Sequence, residues 1–164
     1  MRHIFYLTIL LVLSACDTKT NTQYYNLACD EEEKGNLAQA IKFLDKALEK
    51  KPSDIEALNN RGFDYLLLKQ YDKAKANFGR MIELDRNCPG AYYALGYLNY
   101  ELENYKAALG CFEKAIQIKG GGPLFVEYVP NSFTDPPFSK DAPAKLLVQY
   151  KELAMEKIKS KNKQ

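Results

Sequence analysis

The chain has 164 residues, enough for one ordinary domain, and 46% of them are hydrophobic, which predicts a buried core and excludes global disorder. Its formal net charge is +2, with Lys/Arg and Asp/Glu interspersed, so no long-range field draws in nucleic acid or an acidic partner. One histidine, no tryptophan and four cysteines without CxxC spacing offer little for a zinc, thioredoxin-like or imidazole-based site.

The N-terminal stretch "MRHIFYLTILLVLSAC" opens on Arg2 and His3 and runs apolar from Ile4 to Leu13. That run is too short for a hydrocarbon core, which takes roughly twenty residues. It matches the apolar region of a secretory signal peptide behind a positive start. Leu13-Ser14-Ala15-Cys16 resembles the lipobox of bacterial lipoproteins, where small residues precede a cysteine that is lipidated before cleavage. An ordinary signal peptide with an incidental cysteine is the competing reading.

The lipobox resemblance implies a signal peptide over 1–15, a lipidated Cys16, and a lipidated polar tether over 16–21, the start of the polar spacer "DTKTNTQ". Two or more acyl chains hold a protein stably at about 0.8 kcal/mol per buried methylene, whereas one holds it marginally. The body would then sit in the cell envelope, lipid-anchored and facing the periplasm. Asp17 implies inner-membrane retention under enterobacteria-like sorting, but other bacterial groups do not follow that rule, so both membranes stay open. Cleavage would also remove His3, the only imidazole.

Beyond the tether the sequence repeats. Ala28, Gly62 and Gly96 stand 34 residues apart, as do Ala40, Ala74 and Ala108. The same spacing relates Leu37, Tyr71 and Tyr105; Leu44, Phe78 and Phe112; and Ala47, Met81 and Ala115. Five registers at one period predict three helix–turn–helix units, at about 22–54, 55–88 and 89–119. Small residues at Gly62/Ala74 and Gly96/Ala108 let paired helices approach, and aromatic positions fill the space between them. Gly35-Asn36 breaks the first pair, and Pro52 ends the second helix. Ser53 with Glu56 forms a capping box that starts the third, and Pro89 suits the first turn of the fifth. Glu31-Glu32-Glu33 point in different directions and read as a solvated acidic helix face rather than a cation site.

Gly120-Gly121-Gly122-Pro123 ends the sixth helix, and an irregular Pro/aromatic segment fills 120–142. A last helix runs from about Pro143 to Ser160, with Leu147, Tyr150, Ala154 and Ile158 on one face, and the chain closes on a basic tail within 143–164. A solenoid needs an end cap, and this helix supplies it. The aromatic segment either packs over the third repeat or places Phe125 and Tyr128 in a groove as a removable internal ligand. Cys29, Cys88 and Cys111 read as free, partly buried thiols, with a Cys88–Cys111 disulfide as the alternative.

The third copy, "PGAYYALGYLNYELENYKAALGCFEKAIQI", resembles the tetratricopeptide repeat through Tyr92, Leu95-Gly96, Tyr105, Ala108, Phe112 and Ala115. The second matches through Leu58, Gly62, Tyr65, Tyr71, Ala74 and Phe78, departing at Arg61 and Met81. The first is looser, with Ala28 in place of glycine and Glu31 in place of an aromatic, and fits through Ala40, Leu44, Ala47 and Pro52. The resemblance covers 22–119. It implies an all-α fold, three repeats in a short right-handed superhelix plus a C-terminal capping helix.

The family also implies a concave groove, lined by the first helix of each pair, that holds a partner peptide. By register the groove residues are Tyr25, Cys29 and Glu32; Asn59, Phe63 and Leu66; and Tyr93, Tyr97 and Tyr100. Each trio falls at i, i+4 and i+7 and shares a face. Tyrosine combines contact area with a hydroxyl and is enriched at binding hot spots, although packing against the cap helix would equally explain the third trio. Only Asn59 offers a suitable donor, so the carboxylate clamp of chaperone-binding relatives is missing and an apolar or aromatic partner segment is expected. No enzyme, cofactor, metal, nucleic-acid or small-molecule role is expected. The partners implied are a protein or peptide, and the membrane through Cys16. The expected function is a membrane-anchored protein–protein interaction adaptor or scaffold. The alternative is a self-associating structural lipoprotein or an assembly factor bracing an envelope complex.

Overall fold

A computed structural model describes residues 17–118 and 143–163. The signal segment, Cys16, and the Pro/aromatic stretch with Phe125 and Tyr128 lie outside the described residues. Those described form seven helices and no strand. They are α1 (Asn21–Glu33), α2 (Leu37–Lys50), α3 (Ile55–Leu67), α4 (Tyr71–Leu84), α5 (Pro89–Glu101), α6 (Tyr105–Gln117) and α7 (Pro143–Lys161). Neighbours in sequence pack on one another from α1 to α6, and α7 lies mainly on α6. This is the expected three-repeat helical arrangement with a helix covering its C-terminal end.

The turn inside each pair is one device used three times. Gly35, Lys69 and Glu103, 34 residues apart, adopt φ of 77°, 58° and 57°. The next amide reaches back to a carbonyl five residues earlier: Asn36 to Glu31, Gln70 to Tyr65 and Asn104 to Asn99, each at 2.8 Å. Gly35, Lys69 and Glu103 themselves donate to Glu32, Leu66 and Tyr100 at 2.9 Å. Together these bonds make a Schellman motif that satisfies the last carbonyls of α1, α3 and α5. Only the first copy uses glycine at the left-handed position.

The helices within a pair approach closely at the small residues. Gly62 backs onto the Phe78 ring and Gly96 onto Phe112, leaving no room for a Cβ at either glycine. Ala28, Ala40, Ala74 and Ala108 are fully buried in the same core. Arg61, at a position where an apolar side chain is usual, spans three helices. Its Nη1 pairs with Asp45 of α2 at 2.6 Å and its Nε donates to Asn77 of α4 at 2.9 Å.

The start of α3 corrects the predicted capping box. Asp54, not Ser53, is the N-cap, and its carboxylate accepts from the Ala57 amide at 3.2 Å. Ser and Asp rank alike as caps, so local sequence does not choose between them. A tertiary bond does: Asn21 Nδ2 donates to Asp54 Oδ2 at 2.6 Å, and Lys51 Nζ, three residues upstream, lies 3.4 Å from the same oxygen. The capping box that does form is upstream, where Thr20 and Gln23 close the start of α1 reciprocally.

The polar stretch read as a tether is partly folded down. The Tyr24 hydroxyl donates to the Asp17 carboxylate, Lys50 Nζ lies 3.3 Å from its other oxygen, and Lys50 also donates to the Asp17 carbonyl at 3.1 Å. The Tyr24 bond is the foremost cause holding the Asp17 carboxyl below its ordinary range. At the other end, Tyr150 and Ala154 of α7 are buried, and Lys151 and Lys161 pair with Glu113 and Glu103. Cys29, Cys88 and Cys111 are free thiols, so the alternative disulfide does not form. Among the described residues, no helix is long and apolar enough to cross a membrane.

Candidate partner-binding groove

The first helices of the three repeats, α1, α3 and α5, carry the three trios. On α1, Tyr25 and Cys29 are half-buried and in mutual contact, with Glu32 buried one turn on. Burial first, then the Glu32 charge, pushes the Cys29 thiol up to about 11, so it is an inert thiol rather than a nucleophile. On α3, Asn59, Phe63 and Leu66 are all buried. Phe63 bridges repeats: its ring lies 5.2 Å from Phe78 behind it and 6.5 Å from Tyr97 of the next first helix.

The third trio meets the cap. Tyr93, Tyr97 and Tyr100 stand 6.1, 5.5 and 5.7 Å from the Tyr150 ring, all in edge-on geometry favoured by aromatic quadrupoles. Phe112 stacks on the same ring at 5.7 Å. Tyr93 and Tyr97 are buried, and burial is the main cause raising both hydroxyls well above the ordinary tyrosine range. The packing role anticipated for these tyrosines is therefore realised, and Tyr100 alone of the three keeps a half-exposed edge.

The face is thus a continuous aromatic and apolar floor from Phe63 to Tyr150, with accessible rims at Tyr25 and Cys29 on one end and Tyr100 on the other. Among the described residues, no three His, Cys, Asp or Glu side chains are grouped to hold a metal ion. Sequence reasoning missed the seam between the first and second trios. There Asp64 and Asn60 of α3 meet Glu32, with Asn60 Nδ2 donating to Glu32 Oε2 at 3.2 Å. Glu32 is consequently not part of a solvated acidic face, although Glu31 is bound by Lys34 and Asn36 at its edge. The available signal was two acidic residues amid the small and apolar positions of packed first helices.

Comparison with known proteins places residues 33–115 under the family model for anaphase-promoting complex, cyclosome, subunit 3. The chain is similar to human serine/threonine-protein phosphatase 5, with 33% identity over 103 residues, covering 63% of this chain but only 19% of that one. In fold it resembles the Sgt2 TPR domain from Aspergillus fumigatus, with a TM-score of 0.67, 19% identity, and coverage of 88% of this chain and 82% of that one. It also resembles YrrB, described as a TPR protein with an unusual peptide-binding site. That likeness has a TM-score of 0.59 and 25% identity over 66% of this chain and 56% of that one.

Proposed function

This chain belongs to the tetratricopeptide-repeat family of the matched subunit 3 model, and on that premise we propose that it is a lipid-anchored protein–protein interaction adaptor. Its first-helix face receives an apolar or aromatic segment of a partner protein. The observation that carries the reading is the shared face of α1, α3 and α5, on which Phe63 and Tyr97 touch across a repeat boundary. The peptide-binding site named for YrrB supports the same use of the fold. Leu13-Ser14-Ala15-Cys16 supports lipidation of Cys16 and a position at the periplasmic side of an envelope membrane.

Photoreactive residues at positions 25 and 100, the half-exposed rims, should capture a common partner that a probe at the exposed Lys75 does not. Equal capture from all three positions would remove the groove reading. Cys16→Ser should move the protein from the membrane fraction to the soluble fraction and abolish incorporation of a labelled acyl chain. Retention in the membrane with label still incorporated would remove the anchor.

A further inference from the structure

Glu32 lies in the last turn of α1 and Asp64 in α3, and their side chains are 1% and 0% exposed. Asp64 lies one helical turn beyond Asn60 on α3, and Asn60 Nδ2 donates to Glu32 Oε2 at 3.2 Å, so the two carboxyls face one another across the boundary between the first and second repeats. Among the described residues, no donor reaches Glu32 Oε1 or either oxygen of Asp64. Two facing carboxyls without another donor are joined by a proton between them, because two bare carboxylates offer four acceptors and no donor.

Among the described residues, no cation compensates the pair. Neither carboxyl is shifted by any lysine or arginine, and no group on α2, α4 or α5 acts on either. The nearby cations are committed elsewhere, Arg61 to Asp45 and Lys34 to Glu31. The titratable groups that face the pair are Tyr25 and Cys29 from α1 and Tyr65 from α3, all neutral acids near pH 7. A doubly ionised pair would therefore carry two negative charges, buried and uncompensated, at an inter-repeat seam.

We propose that the proton shared by Glu32 and Asp64 is a latch that holds the first repeat to the second, and that its loss with rising pH loosens α1 from α3. Burial is the first cause raising both carboxyls above their ordinary values of 4.5 and 3.8. The folded chain thus keeps a proton that the unfolded chain gives up. The latch contributes fully below about pH 4 and is lost as pH climbs through the folded-state values. No histidine lies among the described residues and the three thiols are raised, so between about pH 5 and 8 the pair has little competition as a titrating group. Glu32 also closes the trio that begins at Tyr25, so the latch sets the wall of the groove at its first repeat.

The test is thermal unfolding of the full chain and of Asp64→Asn and Glu32→Gln between pH 5 and 8.5, with amide hydrogen exchange in α1 read against α6. Wild type should lose about 5 °C or more of Tm across that range. Exchange in α1 should rise faster with pH than in α6, once the intrinsic rate is removed. Either amide variant should flatten both trends and melt above wild type at the alkaline end, because an amide supplies the donor without a titratable proton. Since both variants retain His3, any contribution it makes cancels. Should Asp64→Asn not fold, Glu32→Gln and carbon-13 titration of the wild-type carboxyls carry the same test. A flat wild-type profile, a slope that survives the foldable variants, or carboxyls titrating near pH 4 would each overturn the latch.

Discussion

Gly62 and Gly96 show how one atom sets the spacing of a helix pair. A methyl group at either would fall inside the Phe78 or Phe112 ring, and both rings are themselves fully buried. Gly62→Ala and Gly96→Ala should each cost about 1–3 kcal/mol by overpacking, visible in urea titration. Gly79 and Gly110 face open space on second helices, so alanine there should stabilise by up to about 1 kcal/mol. Lys69 presents the opposite case. It holds φ 58°, where an L-residue pays roughly 1–2 kcal/mol, while glycine at the equivalent Gly35 is relaxed. Lys69→Gly should therefore raise stability by about 0.5 kcal/mol after the added unfolded-state entropy, and Gly35→Ala should lower it by about 1 kcal/mol. At this scale the small and aromatic registers were legible because they recur every 34 residues. The left-handed turns were half legible: Gly35 signals one, whereas Lys69 and Glu103 signal it only by alignment with Gly35.

Among the elements, α3 and α7 depend on contacts that local sequence does not contain. The start of α3 is displaced by one residue from the box read at Ser53 and Glu56, since Asn21 reaches Asp54 from the preceding repeat. Asp54→Ala should cost about 1 kcal/mol and Ser53→Ala almost nothing, as measured by chemical denaturation. The cap helix was legible as an amphipathic segment after a break, but its key role falls on a single ring. Tyr150 touches Tyr93, Tyr97, Tyr100 and Phe112 together. Tyr150→Ala should cost about 3 kcal/mol and release exchange protection in α7 first, then in α5 and α6. Tyr150→Phe should be mild, since edge-on ring packing survives without the hydroxyl. The Glu32–Asp64 seam escaped sequence reasoning because hydrophobic periodicity ignores polar positions, and burial of a carboxyl becomes visible only when two helices are laid side by side.

The molecule as a whole is a one-dimensional stack, each repeat resting on its neighbours, with a helix over one end and no equivalent helix over the other among the described residues. At that other end Asp17 is fastened by Tyr24 and Lys50, one residue beyond Cys16. An acyl group on Cys16 would then enter a bilayer directly beside folded protein, without a leash. On the proposed anchor, the groove would stay within short reach of the membrane and meet segments presented close to the lipid surface. Ten Gly/Ser residues inserted between Cys16 and Asp17 would add up to about 30 Å of reach. If the proposed anchor and groove hold, cross-linking from position 100 should then extend to proteins that stand farther from the membrane. On the proposed anchor, the same fastening would make each molecule a ruler, and changing Tyr24 or Lys50 would alter which neighbours are within its range.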